Sequence, residues 1–216
     1  MHDSNTDATP LAISAEADNP AAPVRKRPKP GERRVQILQA LAAMLEQPGA
    51  ERVTTAALAA RLEVSEAALY RHFASKAQMF EALIEFIEES VFTLVNQITQ
   101  GERDGRAQAH QIVSMLLGFA EKNPGMVRVL IGDALVNEDP RLQTRINQLV
   151  DRIEASLKQS LQLPSVSPVL PANVAAGPAA SALTAFVVGR WHAYAKFGFK
   201  RLPQADWVQQ AMLFRL

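Results

Sequence analysis

Residues Val53–Lys76 read VTTAALAARLEVSEAALYRHFASK. The spacing predicts two short helices and the start of a third, joined by a tight turn. Thr54 is placed to cap the first helix, and Ala57, Leu58 and Leu62 give it an apolar side. Leu62-Glu63-Val64 makes the turn. Ser65 then caps a very short helix expected over Glu66–His72, its side-chain oxygen accepting a backbone N–H of the first turn. Ser75 opens the third helix, and Gln78 three residues later completes a capping box. Two short helices around a turn form a helix-turn-helix, whose second helix enters a DNA major groove.

The residues Thr54-Thr55, Leu58-Ala59, Val64-Ser65 and Leu69-Tyr70-Arg71-His72-Phe73, followed by Ser75-Lys76, carry a resemblance. The stretch resembles the DNA-binding domain of the TetR family of bacterial regulators. That resemblance implies an all-α, TetR-like fold: a three-helix DNA-binding domain with a helix-turn-helix, plus a helical C-terminal dimerisation domain. One position departs from the family. Glu63 stands in the turn where the family usually places Gly, and if that position needs φ > 0 a non-Gly residue costs energy there.

The rest of the chain fits this frame. It has 216 residues, 48% hydrophobic and 21% charged, ordinary for a globular protein. It contains no apolar run long enough to span a membrane and no basic-then-apolar leader, and it has no cysteine. Disulfides, zinc–thiolate sites and cysteine nucleophiles are excluded, and a cytoplasmic protein is expected. The net charge of +1 hides an asymmetry. Residues 1–24 carry Asp3, Asp7, Glu16 and Asp18 and no Lys or Arg, whereas residues 25–76 carry ten Lys or Arg against five acids. Positive charge therefore gathers where the helix-turn-helix lies, as a phosphate-binding surface requires. A basic linker beside an ordinary solvated domain would show the same charge.

Three domains are expected: a disordered arm over 1–30 ending in Arg25-Lys26-Arg27-Pro28-Lys29-Pro30, a DNA-binding domain over 31–76, and a helical dimerisation and partner-binding domain over 77–216. The first helix is predicted over Glu32–Glu46, with Val35, Leu38, Leu41, Ala42 and Leu45 inward and Pro48-Gly49 ending it. The helix after Ser75 carries an apolar stripe of Phe80, Leu83, Ile84, Ile87, Val91, Leu94, Val95 and Ile98. Phe86 and Phe92 fall off that stripe, and Glu81, Glu85, Glu88 and Glu89 lie on the Phe92 side. Further helices are predicted from Ala107 to Glu121, from Asn123-Pro124 to Val136, from Asp139-Pro140 to Leu161, and from Asn173 to Phe199. Pro164–Pro171 reads as a loop, and Asp206–Leu216 as a short closing helix. No strand is expected.

Enzyme chemistry finds no footing. His2, His72, His110 and His192 are not paired at metal-ligand spacing, and there is no P-loop, dinucleotide fingerprint or nucleophile elbow. No metal and no cofactor are expected. The DNA-facing set is Thr54, Thr55, Ser65, Glu66, Ala67, Ala68, Tyr70, Arg71, His72 and Lys76. Ser65, Glu66, Ala67 and Ala68 open the second helix, where side chains reach base edges. Thr54, Thr55, Tyr70, His72 and Lys76 are expected on phosphates. A single reading helix makes few base contacts, so a homodimer on near-palindromic duplex DNA is expected. The resemblance puts its four-helix interface on the helices near 140–161 and 173–199. Ala175, Ala176, Ala179, Ala182, Ala185 and Gly189 permit close helix approach, unless they pack inside one subunit.

Further runs narrow the resemblance: Ser65–Phe73, Met79-Phe80, Leu83–Glu88, Leu116–Phe119, Asn123-Pro124-Gly125, Arg141-Leu142-Gln143, Arg145–Leu149 and Arg152–Ala155. These look like the nucleoid occlusion factors of the family. Similarity is good over 33–161 and weaker in the last quarter, and the long arm and the Pro164–Pro171 loop depart. The resemblance implies binding to chromosomal DNA and to the tubulin-like protein FtsZ, with inhibition of division-ring assembly over the nucleoid. A partner surface is expected at Phe86, Lys122 and Asn123, an apolar floor with a basic rim for an acidic tail. Packing of Phe86 against a helix of its own subunit is the alternative. A small-molecule effector is not expected, since no polar cluster interrupts an apolar stripe. The alternative function is an effector-controlled TetR-type transcriptional repressor, which needs a cavity with convergent polar groups.

Overall fold

The computed structural model describes residues 31–47, 53–163 and 174–216, which form nine α-helices, one 3₁₀ turn and no strand. The basic arm, Pro48-Gly49, Asn173 and the Pro164–Pro171 loop lie outside the described residues.

The N-terminal head comprises α1 (Glu32–Leu45), α2 (Thr55–Arg61), α3 (Glu66–Tyr70) and the start of α4 (Lys76–Gly101). Ile37, Leu41 and Leu45 of α1 bury with Leu58, Leu69, Phe73, Met79 and Phe80. Val35, expected inward, is 51% exposed, and Ile37 takes its place at 0%. The three caps expected in the head form. Thr54 Oγ1 accepts from the Ala57 amide at 3.1 Å, Ser65 Oγ from Ala68 at 3.3 Å and Ser75 Oγ from Gln78 at 3.2 Å. The capping box closes one residue early, because Gln78 Oε1 accepts from the Ala74 amide, at 2.9 Å, and not from Ser75. The helix expected to reach His72 stops at Tyr70, and Arg71 and His72 form a turn.

The turn between α2 and α3 explains the glycine preference at its centre. Glu63 has φ 53°, the left-handed region. Its amide bonds to the Ala60 carbonyl at 3.1 Å and the Val64 amide to the Ala59 carbonyl at 3.0 Å, which is a Schellman closure. The same closure ends a later helix at Gly198, where φ is 59°.

The body comprises the rest of α4 with α5 (Gly105–Lys122), α6 (Pro124–Leu130), a 3₁₀ turn (Asp133–Leu135), α7 (Pro140–Gln162), α8 (Ala176–Lys196) and α9 (Trp207–Leu213). Asp104 caps α5, which begins at Gly105, two residues before its expected start. The helix predicted to run to Val136 ends at Leu130 instead, because Gly132 turns left-handed at φ 80°. Asp139 caps α7 by accepting from the Arg141 amide at 3.0 Å. The Arg141 guanidinium and amide beside it hold the Asp139 carboxyl down at about 2.

All six apolar residues expected inward on α7, Leu142, Ile146, Leu149, Ile153, Leu157 and Leu161, are buried. On α4 the stripe holds except for Leu94, 37% exposed, and Ile98, half-buried. The acidic side of α4 faces α7. Arg145 donates to both Glu88 carboxylate oxygens, at 3.3 and 2.7 Å, and the Arg152 guanidinium sits 3.8 Å over the Phe92 ring. Inside the body, Ser160 Oγ donates to Gln108 Oε1 at 2.9 Å, so these two buried polar groups satisfy each other. After α8 the chain straps back across α5. Arg190 donates to the carbonyls of Leu202, Pro203 and Ala205. Gln204 donates to the Ser114 carbonyl through its side chain and to Glu121 through its amide.

Head and body touch where α1 meets α6 and at the start of α4. Gly125 at the start of α6 lies so close to α1 that a Cβ there would come within 1.9 Å of the Ala42 carbonyl oxygen. The Lys76 ammonium at the start of α4 pairs with the Glu138 carboxylate from the segment before α7.

Candidate DNA-binding and partner surfaces

The caps on α2 and α3 draw the N-terminal ends of both helices to one exposed edge of the head. Thr54, Ser65, Glu66, Ala67, Tyr70 and Arg71 are exposed there, while Thr55, Ala68, His72 and Lys76 are half-buried. Phe73 is core, as the alternative to a DNA role required. Two of the expected DNA-facing residues hold one another: Thr55 Oγ1 donates to Glu66 Oε2 at 2.6 Å. Lys76 is not a free cation, since it pairs with Glu138 and lies 5.7 Å from the centre of the Phe80 ring.

Two residues of this region are not legible from sequence spacing. Arg34, on α1, donates to the His72 carbonyl and stacks its guanidinium 4.2 Å over the Phe73 ring. It staples the C-terminal end of α3 to α1, although in a basic segment it reads as one more phosphate contact. Glu138 is the second. Its partner is 62 positions away, and no local pattern signals such a contact.

The expected partner surface is built differently. Phe86 is 47% exposed, so the alternative in which it packs within its own subunit does not hold in the single chain. It shares a shallow cleft on α4 with Glu89, Ser90, Thr93 and Leu94. Lys122 is exposed at the end of α5, and the Asn123 side-chain Nδ2 donates to the Phe119 carbonyl at 2.8 Å. The α4–α5 connection is short, so the two helices run antiparallel. Counting from Arg103, Phe86 lies about 25 Å down α4 and Lys122 about 28 Å along α5, at 1.5 Å rise per residue. The two therefore stand at similar heights on neighbouring helices.

Of the small residues on the last long helix, Ala182, Ala185 and Gly189 are exposed on one face of α8, Ala175 is exposed just before it, and Ala176 and Ala179 are half-buried. A Cβ built on Gly189 meets nothing within 4 Å. These three exposed positions do not pack inside the subunit. A cleft of about 300 Å³ opens beside this face, lined by Leu161, Pro178, Ala182, Leu213 and Phe214 among others. Among the described residues no group of acids and histidines is arranged to hold a metal, and no helix is long and apolar enough to cross a membrane.

Residues 37–83 match the family described as bacterial regulatory proteins, tetR family, and residues 103–216 the one described as tetracyclin repressor-like, C-terminal domain. The nucleoid occlusion factor SlmA of Marinomonas sp. (strain MWYL1) is 50% identical over 182 residues, covering 84% of this chain and 92% of the relative. SlmA of Shewanella halifaxensis is 47% identical over 187 residues, covering 84% and 95%. SlmA of Escherichia coli O127:H6 is 49% identical over 175 residues, covering 81% and 88%. Among solved structures, the MbdR regulator from Azoarcus sp. CIB superimposes with a TM-score of 0.71 at 15% identity, covering 83% of this chain and 95% of the other. A TetR transcription regulator from Haloarcula marismortui does so with a TM-score of 0.69 at 16% identity, covering 85% and 96%. At such identities the likeness concerns the fold alone.

Proposed function

We propose that this chain, which belongs to the TetR family of bacterial regulators and within it to the SlmA nucleoid occlusion factors, binds chromosomal DNA and FtsZ and inhibits division-ring assembly over the nucleoid. The observation that carries the reading is the extent of the similarity: it runs through head and body alike and spans nearly all of the Marinomonas relative. Residues 31–76 are the DNA-binding domain and residues 77–216 the dimerisation and partner-binding domain. In the complex α3 enters the major groove with Ser65, Glu66, Ala67 and Ala68 at base edges. Thr54, Tyr70, Arg71, His72 and Lys76 lie along the backbone. Two subunits present two such helices to near-palindromic half-sites.

FtsZ is bound on the α4–α5 side, with Phe86 as the apolar floor and Lys122 and Asn123 as the rim that meets an acidic tail. The exposure of Phe86 beside a stripe otherwise mostly buried supports this placement.

The test uses the full-length protein and a duplex that it selects from a random library. FtsZ polymerisation is followed by light scattering with protein, duplex, or both. Protein plus duplex is expected to reduce polymer strongly. Phe86→Ala and Lys122→Glu, each first confirmed as dimeric and competent for DNA, are expected to lose most of the effect. If both act as the parent does, this surface is not the partner site. If the parent leaves polymers untouched with duplex present, an effector-controlled repressor becomes the better reading.

A further inference from the structure

The contact between Thr55 and Glu66 joins two helix starts across the turn. Thr54 and Thr55 are adjacent, yet their hydroxyls divide the work. Thr54 Oγ1 accepts from the Ala57 amide and closes the end of α2. Thr55 Oγ1 points its proton the other way, to Glu66 Oε2 at 2.6 Å, a hydrogen bond to a carboxylate spanning eleven residues. Glu66 is the first residue of α3 and is exposed.

An exposed glutamate at the DNA-facing edge has two difficulties. Its long side chain loses rotamer freedom when it is fixed against a base. Its charge is also repelled by the phosphates on either side of the groove. A tether to Thr55 addresses the first, because it fixes the carboxylate before DNA arrives. The tether also leaves acceptors to spare. A carboxylate has two oxygens with about four lone-pair sites, and Thr55 occupies one of them, on Oε2. Oε1 stays available to an amino group in the major groove, the cytosine N4 or the adenine N6.

From this geometry we infer that Thr55 is a positioning residue, which sets Glu66 to read a base carrying a major-groove amino group and does not itself contact phosphate. The inference rests on the proposed entry of α3 into the groove. It departs from the phosphate contact that the sequence leads one to expect of Thr55. If the Thr55 hydroxyl held a phosphate, its removal would weaken binding to every sequence alike. If it tethers Glu66, its removal weakens discrimination at one position in each half-site.

The experiment is selection of duplexes from a random library by the full-length parent, Thr55→Val, Thr55→Ser and Glu66→Ala. It is followed by competition binding with the selected duplex and its single base-pair replacements. Circular dichroism first confirms that each variant is folded. Glu66→Ala is expected to flatten the preference at one symmetry-related pair of positions. Thr55→Val, similar in shape but without the donor, is expected to reduce discrimination at that same pair by about three- to tenfold, the worth of one hydrogen bond. The other positions should stay as in the parent. Thr55→Ser keeps the donor and should keep the preference. Even weakening of all duplexes by Thr55→Val, with the preference intact, overturns the inference and returns Thr55 to the backbone set. If Glu66→Ala changes no position, base reading by Glu66 fails and the role of Thr55 falls with it. If Glu66→Ala flattens a position and Thr55→Val does not, base reading stands and only the positioning role is overturned.

Discussion

Glu63 shows how a single residue departs from its family without departing from the fold. The turn between α2 and α3 needs a left-handed residue, and Glu63 adopts φ 53° to supply it. For an L-residue with a Cβ that conformation costs about 1–2 kcal/mol. Glycine removes the cost but loses about 0.5–1 kcal/mol through the greater freedom of the unfolded chain. Glu63→Gly is therefore expected to stabilise the protein by about 0.5–1 kcal/mol and to raise its thermal midpoint by about 1–3 °C. The check is a thermal melt of parent and variant at one protein concentration, since association makes the midpoint depend on concentration. An unchanged or lower midpoint means that the Glu63 side chain repays its backbone strain. The strain is readable in the sequence, because the resemblance puts a glycine at that position. The tether between Thr55 and Glu66 is not, because capping rules treat each residue within its own turn.

At the scale of elements, helices are legible where one pattern decides them and not where several compete. The α7 stripe has one apolar side and a polar remainder, and every residue expected inward is buried. On α1, neighbouring apolar positions are close in hydrophobicity. The pattern puts Val35 inward, but packing in the core selects Ile37. The predicted helix overruns the end of α6 because the apolar pattern continues past Gly132, although a glycine at that point is itself a stop signal. Pairings between distant elements leave no local trace at all, and that of Lys76 with Glu138 is one of them. It matters for the DNA reading, since a phosphate at the start of α4 must share Lys76 with a resident carboxylate. Lys76→Ala is expected to weaken binding to all duplexes and to flatten the salt dependence by about one phosphate contact. Glu138→Gln is expected to strengthen binding, because it removes the competing charge. Affinities measured across a salt series decide it. An unchanged slope for Lys76→Ala leaves the residue as a link between head and body only.

On the scale of the whole molecule, one face of α8 is too bare to be an ordinary solvent face. Most helices of this chain carry charges or amides outward, but α8 presents Ala182, Ala185 and Gly189 there. Helices with small residues on one side approach another backbone closely, and a symmetric dimer supplies that backbone from a second copy. The same exposure makes a clean test, because the face bears no load within the subunit. A glutamate placed at Ala182 stays in water in the monomer, where surface changes shift stability by about 0.5 kcal/mol or less. In the dimer it becomes a buried charge without a partner, which is costly. Ala182→Glu is therefore expected to give a folded monomer from a dimeric parent, with helicity by circular dichroism unchanged and mass by sedimentation halved. Its affinity for a two-half-site duplex should fall steeply, since each head then binds alone. A variant that still sediments as a dimer would move the interface away from Ala182. A parent that is monomeric would remove the two-fold arrangement on which the near-palindromic DNA site depends.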